Sequence, residues 1–268
     1  MKRYESPPAS FFKGNRARLA AQLAPGHLAI FFSNPSFATN ADNKPPFVQC
    51  SSLYYLTGLD QEDTVLVLFP DAPKADWKEM VFIRETNEHI ARYEGWKYSK
   101  TEARVVSGIQ NVKFTTDLET MLQLTLPFGQ GMYLYTNEHE LQGEVPYGPT
   151  QTFAEKLRRR FPGYALARSA PLIRAMRAVK QEDEVKQMQK ACDITNSAFR
   201  RVLKSLRPGM MEFEIEAEVL YEFVRLRAAG PAYPSIVASG KNSLVLHYVD
   251  NDQPCRTGEM LLLDFGAR

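Results

Sequence analysis

Cysteine and histidine are scarce in this chain, and neither shows the close spacing of a structural metal site. The three cysteines, Cys50, Cys192 and Cys255, are odd in number and far apart. That excludes the disulfide framework of a small secreted domain and fits a reducing compartment. An excess of one charge sign is also missing. A formal net charge of +2 over 268 residues gives no global field for nucleic acid or an anionic membrane. Even the basic run KLRRR (156–160) reads as the solvated face of a helix. The longest apolar runs, such as VLVLF (65–69), fall far short of the about 20 residues a membrane helix needs. The opening MKRYESPPAS has no apolar core, so no signal peptide and a cytoplasmic location are expected. Internal repeats and low-complexity tracts are absent.

What is there is material for a packed soluble protein. Hydrophobic residues make up 44% and charged residues 24%, and the length allows one large domain or two ordinary ones. LAIFF (28–32) is a short apolar run bounded by Pro25-Gly26 and Ser33-Asn34-Pro35, the pattern of a buried strand between turns. LYYLTG (53–58), TVLVLF (64–69), MVFI (80–83) and MYLYT (132–136) read as further strands. Strands apolar along their whole length imply a sheet covered on both faces. Helices are expected at 5–23, 87–96, 117–126 and 152–161. The first part is therefore an α/β domain.

The character changes near Ala170-Pro171, and a domain boundary is expected there, giving 1–170 and 171–268. A long helix follows, with Val185, Met188, Cys192, Thr195, Phe199, Val202 and Leu206 at steps of three and four. Glu182, Asp183 and Glu184 fall in its first turn, where the helix dipole favours negative charge. Pro208-Gly209 stops it, and a second helix carries Ile215, Val219, Phe223 and Leu226. SIVAS (235–239), LVLHYV (244–249) and MLLLDF (260–265) read as strands, which makes the second part α+β. Two long amphipathic helices and three strands leave apolar faces without partners. The C-terminus, directly after an apolar strand, is expected to be an interruption.

Of the four histidines, His27, His89, His139 and His247, the last has the most suggestive context, late in an apolar strand after SGKN. Asp264 is the other unusual residue. A carboxylate closing the run Leu261-Leu262-Leu263 must face solvent or be paired, with a metal ion, an arginine or a backbone cap as possible partners. SGKN is no phosphate loop. Ser235 stands where the upstream glycine belongs, and Asn242 replaces the magnesium-binding Ser or Thr.

Longer stretches go further. SNPSFATNAD (33–42), PPFVQCSSLYYLTGLD (45–60), RETNEHIARYEGWKYSKTEA (84–103), RAVKQEDEVKQMQKACDITNSAF, LRPGMMEFEIEAEV, YPSIVASGKNSLVLHY and GEMLLLDFGA resemble the aminopeptidase P and prolidase family of metallopeptidases. The resemblance implies a creatinase-type N-terminal domain, a mixed sheet flanked by helices, followed by an incomplete α+β catalytic domain of the "pita-bread" fold. The family's HY histidine carries to His247 as a catalytic residue, and the D-x-GA aspartate carries to Asp264 as a metal ligand, seventeen residues apart. This chain departs from the family pattern at Thr39 and Val48, where arginines are usual, and at Met211, where a helix-capping Ser or Thr is usual. The implied activity is release of an N-terminal residue that precedes proline. The implied cofactor is a divalent metal pair, manganese, whose second aspartate, histidine and two glutamates are not found here. The implied partners are peptides with proline at the second position and a second copy in a homo-oligomer, a dimer, with no nucleic acid and no membrane. The alternatives are an Xaa-Pro dipeptidase, a metal-free creatinase-like hydrolase, and a non-catalytic binding module on the same fold, as in histone-chaperone subunits.

Overall fold

The computed structural model describes residues 4–41, 43–135 and 148–268. It divides into two compact units, Pro7–Val179 and Lys180–Arg268, the latter joined by residues 4–6. Asp42, Thr136 and His139 lie outside the described residues.

In the first unit, α1 (Ala9–Ala20) starts directly after Pro8, whose fixed φ of −69° suits a helix entrance. The chain then runs through β1 (His27–Phe32), α2 (Ser51–Thr57), β2 (Val65–Leu68), β3 (Glu79–Ile83), α3 (Glu88–Glu94), α4 (Lys100–Ser107) and β4 (Asn111–Phe114). It continues with α5 (Leu118–Thr125), β5 (Gly131–Leu134), α6 (Pro149–Arg160), β6 (Ala165–Arg168) and α7 (Ala170–Ala178). The strands form one mixed sheet in the order β4-β3-β2-β1-β5-β6. β2 is antiparallel to both β1 and β3, and the other pairings are parallel.

Strand alternation sorts the apolar residues into two cores. Ala29, Phe31, Leu66, Leu68, Val81 and Ile83 face one way, under Phe12, Leu19, Leu53, Leu56, Ala103, Ile173 and Met176 of α1, α2, α4 and α7. Leu28, Ile30, Val65, Val67, Met80 and Phe82 face the other way, under Met121, Leu122 and Leu157 of α5 and α6. The expected sheet, covered on both faces, is what forms. Because Ile173 and Met176 are buried in the first core, α7 belongs to this unit although the sequence boundary was placed ahead of it. The basic run at the end of α6 is solvated except for Leu157.

LYYLTG, expected as a strand, is helical. Leu53 and Leu56 reach the core at helical spacing, and Thr57 Oγ1 donates back to Leu53 O at 2.8 Å. Gly58 then closes the helix in the left-handed region at φ 68°, its N–H donating to Tyr54 O. A side chain there would also meet the Phe12 ring at 2.3 Å. A short apolar run satisfies strand and helix templates alike, so the terminal glycine was the discriminating signal. α4 escaped the sequence reading despite a capping box. Glu102 N–H donates to Ser99 Oγ (3.2 Å) and Ser99 N–H to Glu102 Oε2 (2.8 Å).

Arg16 ties this layer together. Its buried guanidinium donates from Nη1 to Leu56 O at 2.8 Å and Ser107 O at 2.9 Å, the carbonyl ends of α2 and α4, and Nη2 lies 3.1 Å from Glu79. A cation at two helix C-termini meets the negative ends of both dipoles.

In the second unit, α8 (Glu182–Ser205) packs on α9 (Glu212–Arg225) through Ile194, Ala198 and Val202 against Ile215, Val219 and Phe223. The face of α8 that the sequence assigned to the core is displaced. Val185, Met188, Cys192 and Phe199 are exposed, and of the expected stripe only Val202 is buried. α9 and the sheet take the neighbouring stripe at i, i+4 and i+8 instead. β7 (Ile236–Ser239) pairs antiparallel with β8 (Leu261–Asp264), Ile236 opposite Asp264 and Ser239 opposite Leu261.

Candidate functional site

The candidate residues of the second unit lie around β7 and β8, with Asp264 on β8 and His247 in the loop that follows β7. Asp264 ends β8 with its carboxylate exposed, and Tyr233 Oη donates to its Oδ1 at 2.6 Å. That bond, followed by partial burial, pushes the Tyr233 phenol above its usual range. Tyr233 precedes β7 and was not singled out from sequence. A tyrosine in a loop carries no local signal of such a partner.

His247 does not sit in a strand. After β7 the chain enters a 3₁₀ helix, Gly240–Leu244, and then a turn. Ser243 Oγ donates to Gly240 O at 2.7 Å and Val245 N–H to Asn242 O at 2.9 Å, local bonds that compete with a ladder. In a strand, Leu244, Leu246 and Tyr248 would share one face. Here Leu244 and Leu246 are 84% and 89% exposed whereas Tyr248 is buried, which excludes a period of two. His247 is exposed between Leu246 and Tyr248.

Polar bonds return this segment to β7. Asn251, buried in the left-handed region at φ 50°, accepts Val237 N–H on Oδ1 (2.9 Å) and donates from Nδ2 to Ser235 O (2.9 Å) and Glu216 Oε2 (3.0 Å). The loop that carries His247 therefore comes back to the level of Ile236, the residue opposite Asp264. The carboxylate of Glu212, the first residue of α9, is wholly buried. It accepts from Ser239 N–H (2.6 Å), Asn242 Nδ2 (3.4 Å), Tyr248 Oη (2.6 Å) and Gln253 N–H (2.9 Å). From sequence Glu212 looks like an ordinary first-turn acid, because only the loop's path shows what its oxygens meet.

A hard divalent cation needs about six oxygen donors, and a pair needs bridging carboxylates. Among the described residues no group of three or more His, Cys, Asp and Glu side chains is placed to hold an ion. Asp264 offers one carboxylate, so the residues present do not fit a dinuclear centre by themselves. A cleft of about 540 Å³ between α8 and β8 is lined by Cys192, Thr195, Phe199, Leu263 and Phe265 among others, with no carboxylate or imidazole. It is not the chemical site.

Comparison with known families resolves what these residues belong to. The family model for the aminopeptidase P N-terminal domain matches residues 12–133, and that for metallopeptidase family M24 matches residues 186–268, the stretch that holds His247 and Asp264. The chain thus carries a match to each of two metallopeptidase domains, the aminopeptidase P N-terminal domain and family M24. The two matches cover over three quarters of its 268 residues, each within one structural unit. An Xaa-Pro aminopeptidase from Haemophilus influenzae is 29% identical over 260 residues, which is 97% of this chain and 58% of the relative. Pseudomonas aeruginosa aminopeptidase PepP superposes with a TM-score of 0.85 at 27% identity, covering 98% of this chain and 59% of that one. A zinc-substituted Escherichia coli aminopeptidase P in complex with product superposes with a TM-score of 0.84 at 28% identity, covering 98% and 60%. The chain thus spans about three fifths of the length of these relatives.

Proposed function

We propose that these residues form the N-terminal domain and first catalytic segment of a metal-dependent Xaa-Pro aminopeptidase, which releases an N-terminal residue preceding proline. The observation that carries this reading is the M24 match over 186–268, a stretch that contains the HY pair of His247 and the DFGA segment of Asp264. Asp264 would supply one carboxylate to a divalent metal pair, and the family resemblance implies manganese, one of the ions that oxygen donors suit. The remaining donors are not supplied by the described residues. His247 acts on the substrate. Its imidazole N–H donates a hydrogen bond to the scissile carbonyl oxygen, and that bond strengthens as negative charge develops there. The exposure of His247 leaves it free to meet a peptide.

Three unpaired cysteines support a reducing compartment, the cytoplasm, as its location. No helix among the described residues is long and apolar enough to cross a membrane. A homo-oligomer, a dimer, is the assembly that the family resemblance supports. The test uses a polypeptide carrying this chain together with the length its relatives add, loaded with manganese. Release of the first residue from Xaa-Pro-Yaa peptides, and not from Xaa-Ala-Yaa peptides, is expected. Activity confined to Xaa-Pro dipeptides or to creatine would replace this proposal, and peptide binding with no cleavage would reject an enzyme.

A further inference from the structure

Burying a carboxylate completely is costly unless hydrogen bonds replace the lost water. Glu212 meets that condition with donors drawn from one place, the segment 239–253. Ser239 N–H and Gln253 N–H are the two ends of this loop. Tyr248 Oη is its middle, next in sequence to His247. Glu212 N–H adds a bond to Gln253 O at 3.0 Å. Holding the start of α9 requires none of this, since a simple side-chain cap would satisfy the helix N-terminus.

Asn251 anchors the return of the loop to β7, and the turn at 244–249 ahead of it has little besides Glu212 to hold it. Leu244, Val245, Leu246 and Val249 are all at least half exposed, so apolar packing does not fix the turn. Tyr248 is the one buried side chain of the run. Its hydroxyl ends on Glu212 at 2.6 Å, with Asp252 N–H donating to it at 3.3 Å.

From these bonds we infer that Glu212 is the positioning residue of the candidate site: its buried carboxylate, acting through Tyr248 and the loop ends, holds the turn that presents His247. This rests on the reading that His247 takes part in the reaction, but the test does not depend on catalysis. Replacing Glu212 by Gln keeps the shape and puts an N–H₂ against donors. The backbone order of residues 245–249 in the 268-residue chain is read by ¹⁵N relaxation. Order parameters are expected to fall from about 0.85 in the parent to below about 0.6 in Glu212→Gln, with α8 and α9 unchanged. The His247 ring resonance should move toward that of a free imidazole while those of His27 and His89 stay put. Tyr248→Phe should give a smaller change in the same direction, and Glu218→Gln, whose carboxylate pairs with Arg201 instead, should give none.

Unchanged order at 245–249 in Glu212→Gln overturns the proposal. Should that variant unfold the second unit as a whole, Tyr248→Phe decides, and parental order there also overturns it. A His247 that proves catalytically idle would reject the functional reading and leave this result standing.

Discussion

Replacing Arg16 with methionine tests how the first unit is held together. The guanidinium is wholly buried, and burial pulls its pKa down while Glu79 opposes that shift. Methionine keeps much of the apolar stem and removes two bonds to the ends of α2 and α4, those to Leu56 O and Ser107 O. Each buried carbonyl left without its charged donor costs about 1–3 kcal/mol. Glu79 is 35% exposed and can return to water, so its share of the loss is small. Removing the desolvated cation refunds part of the total, which leaves a net destabilisation of about 3 kcal/mol. For a unit of this size that lowers the melting temperature by about 6–12 °C. Both tryptophans, Trp77 and Trp96, lie in this unit, so their fluorescence during urea unfolding reports on it selectively. A change of less than about 0.5 kcal/mol, the range of an ordinary surface substitution, would refute the clamp.

Three other outcomes follow from the second unit. The Glu222 carboxyl is pushed down to about 2, first by its bond from Arg225 and then by that from Ser197 Oγ at 2.6 Å. Its stabilising contribution is therefore complete above the ordinary carboxylate range and disappears as pH falls from about 4.5 toward 2. Helical ellipticity of Glu222→Gln should show a flatter acid limb than the parent, and coincident limbs would contradict the shift. Met211 stands at the start of α9 with no side-chain cap, so Met211→Ser should raise stability by about 1 kcal/mol in denaturant titration. Calorimetric titration of the 268-residue chain with manganese should show no tight site, because Asp264 has no cluster of further ligands among the described residues. Two ions bound at micromolar strength would contradict that.

The central strands of the first unit were legible because LAIFF, VLVLF and MVFI are apolar on both faces, and only a sheet covered twice tolerates that. β4 and β6 were not legible, since NVKF and ALAR bury few side chains and leave little periodic signal. LYYLTG and LVLHYV failed for a shared reason. Each is a short apolar run whose state is fixed by flanking residues, Gly58 in one case and the SGKNS bonds in the other. In the site, His247 and Asp264 stand out by their apolar sequence context, and their separate roles come only from the family motifs. Glu212, Asn251 and Tyr233 were not reachable, because each acts through a partner 16 to 41 residues away in sequence. The face of α8 was misassigned because two adjacent stripes are both apolar, and only the placement of α9 chooses between them.

The central claim is that His247 serves the chemistry and Asp264 serves the metal. Its most direct test is one paired measurement of bound metal and turnover on an Xaa-Pro peptide, made on His247→Ala and Asp264→Ala in a manganese-loaded polypeptide that carries this chain with the length its relatives add. Losing one donor to developing charge lowers turnover by about 10²–10³-fold, so His247→Ala should fall by that factor with its metal content intact. Asp264→Ala should lose metal and activity together. Near-normal turnover in His247→Ala, or full metal content in Asp264→Ala, would contradict the assignment.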